Sequence, residues 1–432
     1  MGNLRKRFSQ ALYQSESYLK LDIAYLTRGS FWTTIRFVIG TLASLATMIA
    51  FGNLLPRETY GIYSYLLSLA SSLGFLTLAG IGTGIVRAVA RGQEDVVRYS
   101  LRMQLRYNLL AVTGIAIAGV YYSIQGNTTF AISLWILATA LPLSAAYHTF
   151  EYIFIGKKRF DLLTLVTSGS SIIATIATIT GLLFTDEIIV LIIIYGVMSL
   201  GPSMLSYWYA KHFLSNDEPS PEAIAELRRT AFHLTGAGII GTIAQYLDKI
   251  VLFQIAGPAA LAVYTFAIAG PERLKGLIKN LISIALPRFA EKTLGEIGAI
   301  SSRRFVMSFV VGIIFAASYI LIAPFLFKLL LPKYLDSILY SQVYALGLIV
   351  LPTTIYIGNI FAGQNMLRAI YTHSISGYVT RIFLFLLLGW LWQTWGLVLA
   401  SLISYVLVTI YGIIILKVES KRILIKQNEQ RI

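Results

Sequence analysis

The chain has 432 residues, of which 56% are hydrophobic and only 13% are charged, and its mean hydropathy is +0.72. Soluble domains carry about twice that charged fraction, and a soluble protein with this much apolar surface would aggregate. We therefore predict an all-α integral membrane protein. The net charge of +15 does not indicate a nucleic-acid partner, because lysine and arginine in a membrane protein first report its orientation.

The first segment, residues 1–29, is expected to be cytoplasmic. Within it, residues 4–20 place Leu4, Phe8 and Leu12 at roughly helical spacing beside three consecutive basic residues. This pattern predicts a basic amphipathic helix on the inner leaflet, with a partly ordered tail as the alternative. No signal-peptide cleavage pattern is visible, so the first apolar helix is expected to be an uncleaved anchor.

Apolar runs of about twenty residues, each long enough to cross roughly 30 Å of hydrocarbon, then recur along the chain. They predict two halves of six helices each, an N-lobe at 30–210 and a C-lobe at 231–416. A cytoplasmic linker at 211–230 joins the lobes, and a basic cytoplasmic tail occupies 417–432. The twelve predicted membrane spans are 30–51, 61–85, 107–124, 129–150, 162–184, 188–209, 231–255, 259–285, 305–331, 338–361, 373–392 and 395–416.

The distribution of basic residues predicts the orientation of these spans. If the N-terminus lies inside, the cytoplasmic segments hold 26 lysines and arginines, and the external ones hold only Arg57 and Lys333. Such an excess of basic residues marks the cytoplasmic side. We therefore expect a multi-pass protein of the cell (inner or plasma) membrane with both termini in the cytoplasm.

An internal repeat relates the two halves. With a shift of 201 residues, residues 31–91 align without a gap on 232–292 and share twelve identities. A second similarity relates FIGKKRF (154–160) to FAGQNML (361–367), each of which precedes an apolar span. Repeats of this kind are typical of secondary transporters that rock around a site at the membrane midplane.

Charged residues inside the spans are the candidate site, since each costs at least about 2.5–3.5 kcal/mol to insert. The repeat aligns Asp248 and Lys249 with uncharged residues of the first half, so these charges belong to one lobe only. The candidate anion-binding residues are Arg36, Lys249, Arg273, Lys275 and Lys279. The candidate counter-ions or coupling groups are Asp248 and Glu272.

Two pairings follow from these positions. Glu272 and Lys275 are three residues apart, so they can meet on one helix face, and Asp248 is expected to pair across helices with Arg36 or Arg273. Charge pairs that only hold helices together are the competing interpretation of the whole set. Lys328 is expected to be an ordinary interfacial lysine, whereas structural pairing and cavity lining both remain open for Arg381.

A mostly basic cavity favours an anion, and phosphate fits because guanidinium binds it bidentately. Tyr63, Tyr246 and Tyr264 lie on the same spans as the charges and are candidate sugar contacts, although tyrosines also populate interfaces and helix contacts. The chain has no cysteine, and its four histidines lack metal-ligand spacing. There is also no phosphate-binding G-x-x-x-x-G-K-[ST] loop. We expect no metal, no other cofactor and no enzymatic activity.

Three stretches resemble the polysaccharide transport family, which contains the O-antigen (lipid-linked oligosaccharide) flippases of the multidrug/oligosaccharidyl-lipid/polysaccharide (MOP) exporter superfamily. They are LLPRETYGIYSYLLSLASSLGFLTLAGIGTGIVRAVAR (54–91), YLDKIVLFQIAGPAALAVYTFAIAGPERLKGLIKNLISIALPRFAE (246–291) and WGLVLASLISYVLVTIYGIIIL (395–416). The resemblance covers nearly the whole chain, but its motifs are diffuse. It implies two pseudo-symmetric six-helix lobes around a central cavity, alternating access and a polyprenyl-diphosphate-linked glycan as substrate.

The predicted function is therefore a flippase that moves an O-antigen-type repeat unit to the outer leaflet, among membrane lipids, as a monomer. The coupling ion would be a proton or Na⁺. One alternative is a multidrug or cation antiporter of the same superfamily, which would prefer an acidic or neutral cavity. The other is a membrane glycan polymerase or ligase, against which the short external loops argue.

Overall fold

The structure, a computed structural model, describes residues 23–215, 218–283 and 294–429, and all regular structure in these ranges is helical. The predicted amphipathic helix at 4–20 lies outside the described residues. The helices of the first half are α1 (Ile23–Leu54), α2 (Arg57–Ser72), α3 (Ile81–Ala90), α4 (Val96–Ile124), α5 (Thr128–Tyr147), α6 (Thr149–Gly156), α7 (Phe160–Phe184) and α8 (Ile188–Ala210). Those of the second half are α9 (Pro221–Ser283), α10 (Leu294–Leu330), α11 (Ser337–Ala345), α12 (Leu351–Gly363) and α13 (Leu367–Glu429).

The described residues contain nine helices long and apolar enough to cross a membrane, or ten if the bent pair α2–α3 forms one span. The predicted all-helical, multi-pass membrane protein is thus confirmed, whereas the count of twelve spans stays a prediction. A short 3-10 helix at Leu73–Leu76 follows α2, and the chain then bends by 60° before α3. The span predicted at 61–85 is therefore broken, where the backbone of Thr77 is extended.

Helix α9 is not one straight rod. Its 63 residues would measure about 95 Å if unbroken, three times the hydrocarbon thickness. Gly257 interrupts it with a φ of 82°, a value that favours glycine. The Tyr264 hydroxyl donates to Asp248, sixteen residues away, at 2.8 Å. The chain therefore reverses at Gly257, between the two spans predicted at 231–255 and 259–285.

Helix α13 reverses in the same way. The backbone of Trp392 and Gln393 leaves the helical region, and a Cβ atom on Gly396 would overlap the carbonyl oxygen of Leu388. This reversal falls between the spans predicted at 373–392 and 395–416. Beyond them, α13 continues to Glu429, so the predicted tail is helical up to that residue.

Helix α9 begins earlier than predicted. The expected linker extended to residue 230, but the helix starts at Pro221, and the Ala223 amide donates to the Ser220 hydroxyl at 3.2 Å. A serine N-cap followed by proline in the first helical position is a favourable helix start. The irregular part of the linker is correspondingly shorter than the sequence suggested.

The contacts between the halves show the symmetry that the repeat predicts. The ring of Tyr65 stacks on Phe253 with centroids 3.9 Å apart. Their repeat equivalents, Phe266 and Gly52, also meet, since a Cβ atom on Gly52 would lie 3.3 Å from the Phe266 ring. Reciprocal contacts of this kind are what a twofold axis requires. Ser64 and Thr265, which are equivalent positions, lie with their hydroxyl oxygens 3.4 Å apart.

The second sequence similarity also corresponds to a repeated structure. Lys158 and Asn365 occupy the same place in the two motifs, and both have a positive φ, of 59° and 52°. The residue after each donates its amide to a phenylalanine carbonyl, Arg159 to Phe154 at 2.8 Å and Met366 to Phe361 at 2.9 Å. The same tight turn therefore ends α6 and α12.

Packing places α9 at the centre of the molecule. Within the first half, α1 packs on α7, and α5 packs on both α4 and α8; within the second, α13 packs on α12. Helix α9 packs against α2 and α3 of the first half and against α11 and α13 of the second. It therefore carries its charged residues along the contact between the halves. The boundaries of the two lobes stay a prediction.

Candidate functional site: charged groups along the central helix

The carboxylate of Asp248 is buried, with 2% of the residue exposed. It accepts from the Tyr264 hydroxyl at 2.8 Å and from the backbone amide of Lys249 at 2.9 Å. The predicted pairing of Asp248 with Arg36 or Arg273 is therefore wrong. The hairpin at Gly257, which brings Tyr264 beside Asp248, supplies the neighbour that the sequence pattern did not identify.

Glu272 is held by three partners. Its carboxylate accepts from the Lys275 ammonium at 3.1 Å, from the Tyr344 hydroxyl at 2.6 Å and from the Tyr405 hydroxyl at 3.0 Å. Lys275 also donates to Tyr405 at 3.1 Å. The i,i+3 pairing predicted for Glu272 and Lys275 is confirmed, and the two tyrosines come from α11 and α13.

Arg381 lies beside this polar network, and its buried Nε atom has no hydrogen-bond partner among the described residues. Its guanidinium lies over the Phe385 ring, 4.9 Å from the centroid, and is close enough to both Asp248 and Glu272 to interact electrostatically. With Lys275, it supplies two cations for two carboxylates. The interior of the second half therefore holds a balanced set of charges, which favours structural pairing for Arg381.

Arg273 points the other way, toward the first half. Its guanidinium donates to the hydroxyl of Ser44 and, at 3.2 Å, to the Ser44 carbonyl oxygen, and it lies 3.9 Å from the sulfur of Met48. Its buried Nε atom has no hydrogen-bond acceptor among the described residues. Arg273 thus links α9 to α1 and keeps its charge without a carboxylate partner in the part of the chain that is described.

Arg36 lies apart from the other basic residues. It donates to the carboxylate of Glu151 at 2.8 Å, and both line a cavity of about 290 Å³ inside the first half. This cavity is bounded by α1, α6, α7 and α8, and by His148 between α5 and α6. The hydroxyl-bearing residues of its lining are Thr167, Ser168, Ser170, Ser171, Ser199 and Ser203.

The two remaining lysines differ from Lys275 and Arg36. Lys249 is half-buried and Lys279 is exposed, and neither side chain makes a hydrogen bond or an ion pair with any residue that the structure describes. At 1.5 Å per residue, Lys249, Arg273 and Lys279 lie about 12, 24 and 33 Å along the helix from the reversal at Gly257. The structure therefore arranges three cations along the depth of α9 and does not gather all five in one pocket.

Two of the three candidate sugar contacts are inside the protein. Tyr63 packs against Phe51 with centroids 4.9 Å apart and meets the edge of Tyr195, and Tyr264 is fully buried beside Asp248. Neither ring has a free face in this conformation. Tyr246 is only half-buried and retains exposed surface.

A second cavity of the first half, of about 510 Å³, has a lining that fits sugars better. Asn108 contributes a buried amide oxygen that has no partner among the described residues. Amides and hydroxyls of this kind bind sugar hydroxyls by hydrogen bonds. The other polar residues that line this cavity are Ser71, Thr77, Gln104, Ser144, His148, Tyr152, Tyr195 and Ser199. Sequence analysis missed them because uncharged polar residues are common in apolar helices.

The two halves are tied together at the end of the bundle that carries Arg57. Its guanidinium donates to Asp336 at 2.7 Å, donates to the Lys333 carbonyl oxygen and lies over the Tyr334 ring. The ammonium of Lys333 donates to the Asn53 carbonyl oxygen at 2.6 Å. Burial raises the pKa of Tyr334 to about 12, so its ring stays neutral. We call these contacts the Arg57 latch; the sequence predicts that they face outside.

Long apolar helices, two related halves and charges along the helix between them define a polytopic membrane protein of the transporter class. Among the described residues, no group of three or more histidines or acidic residues could hold a metal ion.

Comparisons with solved structures show the same fold. An inward-facing multidrug resistance MATE family transporter of the MOP superfamily matches with a TM-score of 0.63 at 15% identity, over 90% of this chain and 98% of that one. The lipid II flippase MurJ, in an inward closed conformation, matches with a TM-score of 0.61 at 12% identity, over 90% and 87%. A MOP superfamily transporter from Pyrococcus furiosus, described as having a binding pocket of reversed polarity, matches with a TM-score of 0.58 at 15% identity, over 92% and 95%.

Residues 26–293 match the family model for polysaccharide biosynthesis proteins. No curated protein matches the chain by sequence. Because the family match covers more than half of its length, the chain belongs to the polysaccharide biosynthesis protein family. The family and the fold together identify a transporter or flippase rather than an enzyme.

Proposed function

We propose that this protein is a flippase for a polyprenyl-diphosphate-linked oligosaccharide of the O-antigen type, working by alternating access between its two halves. The diphosphate–sugar head group enters between the halves from the cytoplasm, while the polyprenyl chain stays in the bilayer. A change in the contact between the halves then releases the head group on the outer side.

The observation that carries this proposal is the environment of Arg273, in a chain that belongs to the polysaccharide biosynthesis protein family. Its guanidinium lies deep in α9, touches both halves through Ser44 and has no carboxylate partner among the described residues. Because a charge in the membrane interior is costly, an unpaired cation there is best explained by an anionic ligand. Lys249 and Lys279 add two further positive charges along α9 that have no carboxylate partner among the described residues.

The other charged groups take supporting roles in this proposal. Arg36 and Lys275 already have carboxylate partners, so we assign them to positioning rather than to the first contact with diphosphate. Asp248 and Glu272 act as counter-ions for the basic residues around them. The neutral cavity of about 510 Å³ would receive the sugars.

Replacing Arg273 tests the proposal directly. In Arg273→Gln, the side chain stays polar and unbranched but loses its charge and its guanidinium, so transport of a lipid-linked oligosaccharide in reconstituted vesicles should fall about tenfold or more. The matched control is Lys328→Gln, because Lys328 is exposed near one end of α10. The control should transport like the unsubstituted protein at equal amounts in the membrane.

Unchanged transport in Arg273→Gln would contradict the role of this charge. Equal losses in Arg273→Gln and Lys328→Gln would show a general dependence on positive charge instead. A driving force from H⁺ or Na⁺ is tested in the same vesicles by collapsing each gradient in turn, and a monomer is tested by the mass of the reconstituted protein.

A multidrug or cation exporter is less well supported by the geometry. Such a transporter would need a carboxylate free to bind a cation, whereas Asp248 and Glu272 are both hydrogen-bonded and lie close to Arg381 and Lys275. Export of cationic dyes by the purified protein, at rates matching glycan transport, would favour this alternative.

A further inference from the structure

A third cavity lies outside the group of charges on α9. It has a volume of about 640 Å³ and is formed where the start of α4 faces the start of α9. Both parts belong to segments that the sequence predicts to be cytoplasmic, at the level of the membrane surface. The residues that line it are Tyr99, Arg102, Met103, Arg106, Tyr107, Leu110 and Arg228.

Three of these residues are arginines, and no carboxylate lines the cavity. Arg102 and Arg106 are four residues apart, so they lie on one face of α4, and Arg228 approaches from α9. None of the three makes a hydrogen bond or an ion pair with a residue within the described ranges. Three uncompensated guanidinium groups around one space form an anion site, because each can bind phosphate bidentately.

Glu226, two residues before Arg228 on α9, is already engaged. The carboxylate of Glu226 accepts two hydrogen bonds from Arg91, at 3.0 and 2.9 Å. Glu226 is therefore occupied on the side of α9 that faces α3, and Arg228 is left to face the cavity.

The rim of the cavity is apolar and open. Leu110 is 56% exposed, and Phe232, whose ring meets Tyr107 with centroids 5.1 Å apart, is 41% exposed. Both residues lie deeper along their helices toward the membrane interior than the arginines. A ligand that combines a phosphate group with a hydrocarbon chain fits this arrangement, with the phosphate on the arginines and the chain along Leu110 and Phe232.

We infer that the cavity at Arg102, Arg106 and Arg228 binds the phosphate-bearing head group of a lipid before it enters the space between the halves. This inference rests on the proposed function for its place in the cycle. The head group comes either from the prenyl diphosphate of the substrate or from an anionic membrane lipid, which share the same chemistry.

The test measures equilibrium binding of radiolabelled farnesyl diphosphate to the full-length protein in nanodiscs of phosphatidylcholine. The test variant combines Arg102→Gln, Arg106→Gln and Arg228→Gln. The control variant makes the same charge change with Arg87→Gln, Arg229→Gln and Lys417→Gln, three exposed positions that do not line the cavity. We expect the dissociation constant to rise about tenfold or more in the test variant and to stay unchanged in the control.

Nanodiscs that also contain phosphatidylglycerol distinguish the two sources. If farnesyl diphosphate still binds when phosphatidylglycerol is in excess, the site prefers the diphosphate of the substrate. If phosphatidylglycerol displaces it, the site binds anionic membrane lipid. Either result supports a phosphate site, whereas unchanged binding in the test variant, or equal loss in both variants, overturns it.

A further variant distinguishes loss of the phosphate site from misfolding. Replacing the three arginines by lysine keeps the charge but loses the bidentate geometry, so binding should weaken less than in the glutamine variant. Loss of binding that is equal for lysine and glutamine, together with a changed elution profile on size exclusion, would overturn the assignment in favour of a structural role. Glycan transport is measured separately: its absence in the unsubstituted protein would contradict the flippase proposal and leave the binding result standing.

Discussion

Asp248 and Arg381 are oppositely charged groups inside the second half, close enough to interact electrostatically. Asp248 is 2% exposed. Arg381 interacts electrostatically with Asp248 and with Tyr264, the hydrogen-bond partner of Asp248. Removing one partner of a buried pair leaves the other uncompensated, which typically costs about 3–5 kcal/mol. We therefore expect Asp248→Asn to lower the Tm of the purified protein clearly, and Tyr264→Phe, which loses one hydrogen bond, to lower it less.

A double variant separates pairing from simple damage. If Asp248 and Arg381 compensate each other, Asp248→Asn combined with Arg381→Gln should be more stable than the sum of the two single losses implies. Losses that simply add would show that the two groups do not interact, and Asp248 would then need another explanation.

The contacts of single residues show which predictions the sequence could support. The pairing of Glu272 with Lys275 was predictable because both residues lie on one helix face, so local spacing determines it. The pairing of Arg36 with Glu151, 115 residues away, depends on how α1 meets α6. No local sequence pattern contains that information. For the same reason, spacing along one helix did not identify Tyr264 as the partner of Asp248.

At the scale of whole helices, Gly61 determines how closely α2 approaches α9. A Cβ atom on Gly61 would overlap the carbonyl oxygen of Pro258 at the start of the second arm of α9. Gly61→Ala should therefore push these helices apart and weaken the contact between the halves. We expect a lower Tm and greater accessibility of the Arg57 end to aqueous labels.

The control for this prediction is Gly169→Ala, because nothing lies within 4 Å of a Cβ atom at Gly169. Alanine favours helix over glycine by about 1 kcal/mol, so this variant should keep or raise the Tm. Equal behaviour of the two variants would contradict the role of close packing at Gly61.

Helix positions were predicted well and helix interruptions less well, for a physical reason. Hydropathy locates apolar runs, and the reversals at Gly257 and Gln393 fall where one predicted run gives way to the next. The bend between α2 and α3 lies inside an apolar run. The Gly80 amide donates to the Thr235 hydroxyl at 3.0 Å, so the partner that accompanies this break comes from the other half of the chain.

At the scale of the whole molecule, the pseudo-twofold relation places the central contact between equivalent residues. Ser64 and Thr265 face each other with their hydroxyl oxygens 3.4 Å apart, and Ser64 lies on α2 with Arg57 and Gly61. Alternating access requires the two halves to separate at one end of the bundle and then at the other. The contact between Ser64 and Thr265 must therefore break if the Arg57 end opens during transport.

A disulfide across this contact tests whether it breaks. The chain has no cysteine, so Ser64→Cys with Thr265→Cys introduces one pair without competing thiols, at two positions whose side chains already meet. The control pair is Ser308→Cys with Thr353→Cys, whose hydroxyl oxygens lie 2.9 Å apart within the second half. Oxidation should abolish glycan transport in the first pair, and reduction should restore it, because only that bond joins the two halves.

Both pairs should cross-link, as a gel-shift of protein cleaved between the cysteines would show, and the oxidised control should still transport. Full transport with Ser64→Cys and Thr265→Cys completely cross-linked would mean that the halves move as one body at this end, and alternating access through the Arg57 end would be wrong.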